Sequence, residues 1–316
     1  MTENTTYLER YQPRSLSDIH GHDTIRQVLS AMIEQKNVTH LMLVGTPGNG
    51  KSTTAMALIR DLYGDEYKSN YIKTDASSDR GIDVIRGRIK EATRYKSLNF
   101  PFKIILMEEA DSLTPEAQKA LRETMLARQN ISRFIYICND LSKIIEPIQD
   151  RCMILRFAPL TMEDITQHLK LIVKAENIDI KTSQISTIAG LADGSMRRAV
   201  NCLQSAATQT HITDKLIRTL LGSKLDPKYP KTILKNVFEG KEYESILFNL
   251  VYKEGFTPDE IMSGILDYLI KLNEPKNIKI ILGLSEFHYR MSQGAQPMIQ
   301  LRVGLAKLST MKSPKF

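Results

Sequence analysis

The chain has 316 residues, 42% hydrophobic and 25% charged, enough for two or three domains with buried cores. No apolar run approaches the ~18 residues of a membrane-spanning helix, and the first residues, MTENT, lack the basic and apolar regions of a secretory leader. An intracellular protein without a membrane partner is expected, and its formal net charge of +7 leans toward an anionic partner.

Along the chain, residues 24–35 have helical spacing of apolar positions. They are followed by an apolar run, His40–Val44, that predicts a strand. Further strands are predicted at Asn70–Thr74, Lys103–Glu108, Phe134–Asn139 and Met153–Phe157, with helices over 51–63, 82–95, 114–128 and 142–147 between them. Such alternation with near-continuous apolar strands predicts a parallel sheet covered on both faces. Thr114-Pro115-Glu116 supplies a cap, a proline in the first turn and an acid near the positive helix end. After Phe157 the strand signals stop. Ala158-Pro159-Leu160 reads as a hinge, Thr161 to Asp164 opens a helix, and helices continue to about Leu221. Gly222 to Pro227 breaks the pattern again, before helices led by Thr257-Pro258 and over Pro275–Met291 and Pro297–Met311. The expected order is an α/β domain (1–157), a small helical domain (158–222) and a helical tail (223–316).

Cys138, Cys152 and Cys202 are widely spaced and read as small buried residues. The six histidines form no H-E-x-x-H, and His20 and His22 read as surface residues. Metal chemistry through histidine or cysteine is therefore not expected.

The strongest local signal is Gly45-Thr46-Pro47-Gly48-Asn49-Gly50-Lys51-Ser52, a G-x-x-x-x-G-K-S loop between a strand and a helix, with Thr53 following. Its glycines let successive backbone N–H groups face phosphates at the positive helix end. Lys51 would reach the β- and γ-phosphates of ATP and Ser52 would ligate Mg2+. A later strand delivers Glu108 and Glu109. Glu108 suits a water-mediated contact with Mg2+, and Glu109 would orient or activate the attacking water. An aspartate is usual at the first of these positions, so the extra methylene of Glu108 leaves binding secure and hydrolysis expected.

Several longer segments carry a family resemblance. "LERYQPRSLSDIHGHD", "DASSDRGIDVIRGRIKEA", "MEEADSLTPEAQKALRETM", "CNDLSKIIEPIQDRC" and "DGSMRRAVNCLQ" are similar to segments of the replication factor C small subunits, clamp loaders among the AAA+ ATPases. The resemblance implies a P-loop AAA+ domain, a helical lid and an all-helical collar. It also implies work in a five-subunit ring that opens a PCNA-like sliding clamp and loads it onto primer–template DNA. It makes Asn139 a sensor of the γ-phosphate or attacking water, Arg197 a lid cation over ATP, and Arg151 a finger acting in trans on a neighbour's nucleotide. Tyr11 would lie near adenine. Arg80, Arg86, Lys90 and Lys143 would follow the DNA backbone, giving salt-sensitive binding without base selectivity. Leu98 and Phe100 would face the clamp, although both could equally pack beneath the next strand.

Three positions depart from the family pattern. Glu108 replaces aspartate, Gln12 replaces arginine, and Asp150 stands where serine precedes the finger. A carboxylate about 6 Å from a neighbour's γ-phosphate would repel each unit of its charge by roughly 2–3 kcal/mol at an effective dielectric near 20. The expectation is a chain that binds and hydrolyses ATP but promotes its neighbour's hydrolysis less well. Two alternatives stand beside it. One is a weakly hydrolysing or non-hydrolysing switch subunit. The other is a different AAA+ DNA machine, against which the absence of a winged-helix pattern after residue 222 counts.

Overall fold

The computed structural model describes residues 5–76, 87, 99–209, 211–221 and 225–309. The chain divides into two compact units, Met1–Leu221 and Gly222–Phe316.

The first unit is built on five parallel strands: β1 (Leu41–Gly45), β2 (Tyr71–Asp75), β3 (Lys103–Glu108), β4 (Ser132–Cys138) and β5 (Met153–Phe157), in the order β2-β3-β4-β1-β5. Alternate residues of the central strands point to opposite faces. Leu41, Leu43, Ile104, Leu106, Ile135 and Ile137 pack with the helices Asp23–Glu34 and Lys51–Tyr63. Met42, Val44, Ile105, Met107, Phe134 and Tyr136 pack with the helix Pro115–Ala127 on the other face. Burial on both faces is why these strands read as continuous apolar runs. The edge strand β5 instead alternates, with Leu155 and Phe157 buried and Met153 and Arg156 exposed.

Register aligns the functional ends. Val44 lies opposite Cys138, and Met107 opposite Tyr136. The C-terminal edges of β1, β3 and β4 therefore reach one crevice, where ligands bind in open α/β sheets.

The helix expected over 142–147 is two short turns, Leu141–Lys143 and Glu146–Gln149, around extended Ile144 and Ile145. Gln118, 2% exposed, holds this break open. Its amide donates to the carbonyls of Leu113 (3.2 Å) and Lys143 (2.8 Å) and accepts from Ile145 N–H at 2.8 Å. The segment for which a helix over 82–95 was expected lies outside the described residues, apart from Gly87.

Four helices complete the first unit: Met162–Glu176, Thr182–Leu191, Met196–Ala207 and Asp214–Leu221. The first begins in the expected box, with Thr161 and Asp164 exchanging side-chain-to-backbone bonds at 3.1 Å, and stops at left-handed Asn177. Ile165, Leu169, Ile172, Ile188 and Leu203 form the core of this lid. Tyr7, Leu8 and Tyr11 pack on that core, and Tyr7 N–H donates to Gln204 at 2.9 Å. The N-terminal segment thus belongs by contact to the lid rather than to either face of the sheet.

In the second unit every described regular element is helical. It comprises Lys228–Phe238, Glu244–Phe248 running into a wide turn at Asn249–Lys253, Pro258–Lys271, Ile278–Ser292 and Pro297–Ser309, with a short 3-10 turn at Pro275–Asn277. Leu234, Leu250, Ile265, Leu284 and Leu301 are fully buried at its centre. No helix among the described residues is long and apolar enough to cross a membrane.

Candidate nucleotide site

A cleft of about 510 Å3 opens at the C-terminal edge of the sheet. It is lined by Pro47 to Thr53, Lys73, Glu108, Glu109 and Asn139, and by Leu8, Tyr11, Ile19, His20, Leu160, His168, Met196, Arg197 and Val200. Its size suits a small organic ligand.

The loop after β1 has the curl its glycines require. Gly50 has φ +96, caps the Lys51–Tyr63 helix, and a Cβ there would meet no atom within 4 Å. Lys51 is only 6% exposed, because its ammonium folds back into the loop. It donates to the carbonyls of Gly45 (2.6 Å) and Thr46 (2.8 Å) and to Asn139 Oδ1 (3.1 Å). Burial lowers its pKa, while Cys138 and Asp111 oppose that shift and Arg197 adds to it. The bonded carbonyls hold the charge inside the loop.

Glu108 ends β3, and its Oε2 lies 2.8 Å from Lys73 Nζ on the neighbouring strand β2. Glu109 is exposed and left-handed (φ 51, ψ 40), so the chain turns sharply between the two carboxylates. Asp111 then reaches across to β4, where its Oδ2 accepts from the N–H groups of Asn139 and Asp140, each at 3.2 Å. That anchor fixes the backbone of Asn139, the first residue after the strand. Ser52, Glu108 and Glu109 offer hard oxygen donors suited to Mg2+. No cluster of three or more His, Cys, Asp or Glu side chains able to hold a metal occurs among the described residues.

The lid closes on the loop directly. Met196 N–H donates to Gly48 carbonyl at 2.9 Å, and Gly48 has φ +85. A Cβ on Gly48 would stand 2.1 Å from Ser195 Oγ, so only glycine permits this approach. Arg197, in the first turn of the Met196–Ala207 helix, is exposed on the cleft wall. Tyr11 also lines the cleft, and its hydroxyl donates to Glu176, which Arg10 holds at 2.6 Å.

Arg151 and Lys143 do not line the cleft. Arg151 follows the short helix Glu146–Gln149, and its Nη1 donates to Pro147 carbonyl within that helix at 2.6 Å. Asp150 beside it is exposed, at the C-terminal end of that helix. Lys143 is exposed and bound to Gln118 only through its backbone carbonyl. Arg80, Arg86 and Lys90, expected on DNA, lie outside the described residues, as does Leu98. Phe100 packs edge-on against Tyr63 with ring centroids 4.8 Å apart, joining the sheet core. This is the packing alternative for that ring.

Sequence reading missed the histidines of the cleft. His22 is half-buried, with Nε2 3.0 Å from Asn49 carbonyl and its ring against Phe157. His20 stands edge-on to His168, which is 8% exposed, at 5.5 Å. Burial, with a smaller contribution from His20, pulls the pKa of His168 down to about 4. The three cysteines are free, and burial pushes Cys138 and Cys152 up to about 12 and Cys202 to about 11. Burial thus disfavours the thiolate at all three.

Three family descriptions match separate stretches of the chain. The description of ATPases associated with various cellular activities (AAA) matches residues 41–160, the RCF1/5-like AAA+ ATPase lid domain matches 167–208, and the Replication factor C C-terminal domain matches 226–307. The Replication factor C small subunit of Methanococcus maripaludis is 37% identical over 311 residues, spanning 97% of this chain and 99% of its own. That of Sulfolobus acidocaldarius is 39% identical over 316 residues, spanning 98% and 97%. Among solved structures, the Thermotoga maritima RuvB Holliday junction branch migration motor superposes with a TM-score of 0.57 at 17% identity. It covers 83% of this chain and 91% of that one, a likeness of fold alone.

Proposed function

The chain belongs to the replication factor C small subunits, AAA+ ATPases that act as clamp-loader subunits in DNA replication, and we propose that it uses ATP to open a sliding clamp and place it on primer–template DNA. The observation that carries this reading is the convergence of Lys51, Glu108, Glu109, Asn139 and the lid residue Arg197 on one cleft.

In this reading the Gly45–Thr53 loop cradles the triphosphate, and Lys51 exchanges its carbonyl partners for the β- and γ-phosphate oxygens. Ser52, and Glu108 through water, hold Mg2+, which when bound neutralises charge on those oxygens. Glu109 accepts a hydrogen bond from the attacking water. The left-handed turn that sets it apart from Glu108 supports that separation of tasks. Asn139, its backbone pinned by Asp111, contacts the γ-phosphate or the water. Arg197 reports occupancy to the lid, since its helix begins with the Met196 to Gly48 bond. Adenine occupies the end lined by Tyr11, Ile19, Leu160 and Val200. Arg151 serves a neighbouring subunit's nucleotide, which agrees with its position away from its own cleft. Exposed Asp150 beside it weakens that service, so Asp150→Ser in the assembled complex raises turnover.

We divide the chain into a nucleotide domain (1–157), a lid (158–222) and a collar (223–316) that joins a five-subunit ring. The second unit supports the collar assignment by exposing Phe248, Tyr252, Leu282 and Tyr289, each more than half accessible. Arg80, Arg86, Lys90 and Lys143 line the path of the DNA backbone. A second reading, a switch subunit that binds ATP but hydrolyses little, is favoured by the engagement of Glu108 with Lys73.

The test is a loading assay. The complex assembled with its partner subunits is incubated with sliding clamp, primed circular DNA and ATP, and clamp retained on DNA after gel filtration is counted. Retention that falls at least tenfold when this subunit carries Lys51→Ala supports the proposal. Equal retention with the wild-type and variant subunits overturns it.

A further inference from the structure

Resting on the nucleotide reading above, we infer that Lys73 is the resident counter-ion of Glu108 and competes with magnesium for that carboxylate. The two side chains meet at 2.8 Å across adjacent parallel strands, and both line the cleft. Glu108 keeps only 20% of its side-chain surface exposed, while Lys73 keeps 49%. The carboxylate is therefore held in place, and the ammonium remains free to withdraw into solvent.

The length of Glu108 makes this pairing possible. An aspartate would end about 1.5 Å shorter, outside hydrogen-bond reach of the ammonium at its present position. The ion pair takes up Oε2 and leaves the other oxygen to accept from a metal-bound water. It also changes the charge met by an incoming triphosphate. Without Lys73 the cleft would present the carboxylates Glu9, Glu108 and Glu109 against the two cations Lys51 and Arg197. With Lys73 the three charges of each sign balance.

Both effects act in one direction. Lys73 lets nucleotide bind without metal, and it weakens the help that metal gives. Its removal should therefore increase the ratio of nucleotide affinity in Mg2+ to that in EDTA. A half-exposed pair of this kind predicts a rise of about two- to fivefold.

The experiment titrates the full chain with a fluorescent N-methylanthraniloyl ATP, once in excess Mg2+ and once in EDTA. It compares wild type, Lys73→Met, Glu108→Asp and the double variant. The inference expects the affinity ratio to rise two- to fivefold on Lys73→Met in the wild-type background and by less than half as much in the Glu108→Asp background. Binding with an unchanged ratio would overturn it, leaving the nucleotide site intact. An equal rise in both backgrounds would also overturn it, because the lysine would then act on the nucleotide and not through Glu108. No binding by wild type in either condition would overturn the nucleotide reading, and the inference with it.

Discussion

At the scale of single residues, Glu109 sits at φ 51, a region that costs a non-glycine side chain about 1–2 kcal/mol. Glu109 and His22 are the non-glycine residues at positive φ among those lining the cleft, and Glu109 is also the proposed water-activating carboxylate. Glu109→Gly should therefore raise stability by about 1 kcal/mol in urea unfolding while abolishing hydrolysis. Lost stability would remove the strain argument. Two histidines predict the acid response. Burial takes His168 down to about 4, and burial with Arg133 does the same to His40. The unfolded chain titrates both near 6.5, so it binds more protons between pH 6.5 and 4, and stability falls as pH drops through that window. The loss is up to about 3 kcal/mol per histidine, and His168→Phe should flatten roughly half of the slope in pH-dependent melts. The loop and the glutamate pair were legible in the sequence because their chemistry is carried by adjacent residues. His20, His22, His168 and Lys73 were not, because they reach the cleft from separate elements and have no spacing in common.

At the scale of elements, the strands were read to within two residues at each end because their apolar runs are nearly continuous. The segment after β4 was misread, since its Ile144-Ile145 pair is extended by bonds to Gln118, which lies 25 or more residues earlier. Local periodicity carries no trace of such a partner. The loop–lid contact yields a prediction of the same kind. Gly48→Ala places a methyl against Ser195 and forces an unfavourable φ, which should weaken ATP binding by about tenfold or more. Adding Ser195→Gly removes the collision and should restore part of that loss. Calorimetric titration of ATP into the two variants checks both, and an unaffected Gly48→Ala would mean that the contact is dispensable.

At the scale of the whole molecule, the proposal assigns separate tasks to the two compact units. The first contains every residue that lines the cleft. The second buries a helical core yet leaves aromatic and aliphatic side chains outside, with Phe248 and Tyr252 forming a ring pair at 4.7 Å. Replacing both Tyr252 and Leu282 with serine should leave thermal stability nearly unchanged but lower the yield of assembled ring severalfold in size-exclusion chromatography. Unchanged assembly would remove these two side chains from the proposed subunit contacts. The all-helical second unit was legible from its capping signals, such as Thr257 with Glu260. Its exposed apolar residues were not, since period alone cannot say which of them lie outside the core.

The central claim is that this chain hydrolyses ATP as part of clamp loading. Its most direct test is steady-state ATP hydrolysis by the assembled complex, with and without clamp and primed DNA, comparing wild type with Glu109→Gln in this subunit alone. The account predicts stimulation by clamp plus DNA that Glu109→Gln reduces, with ATP binding retained. Stimulation that is identical in the two complexes would show that hydrolysis belongs to the neighbours and would contradict the account.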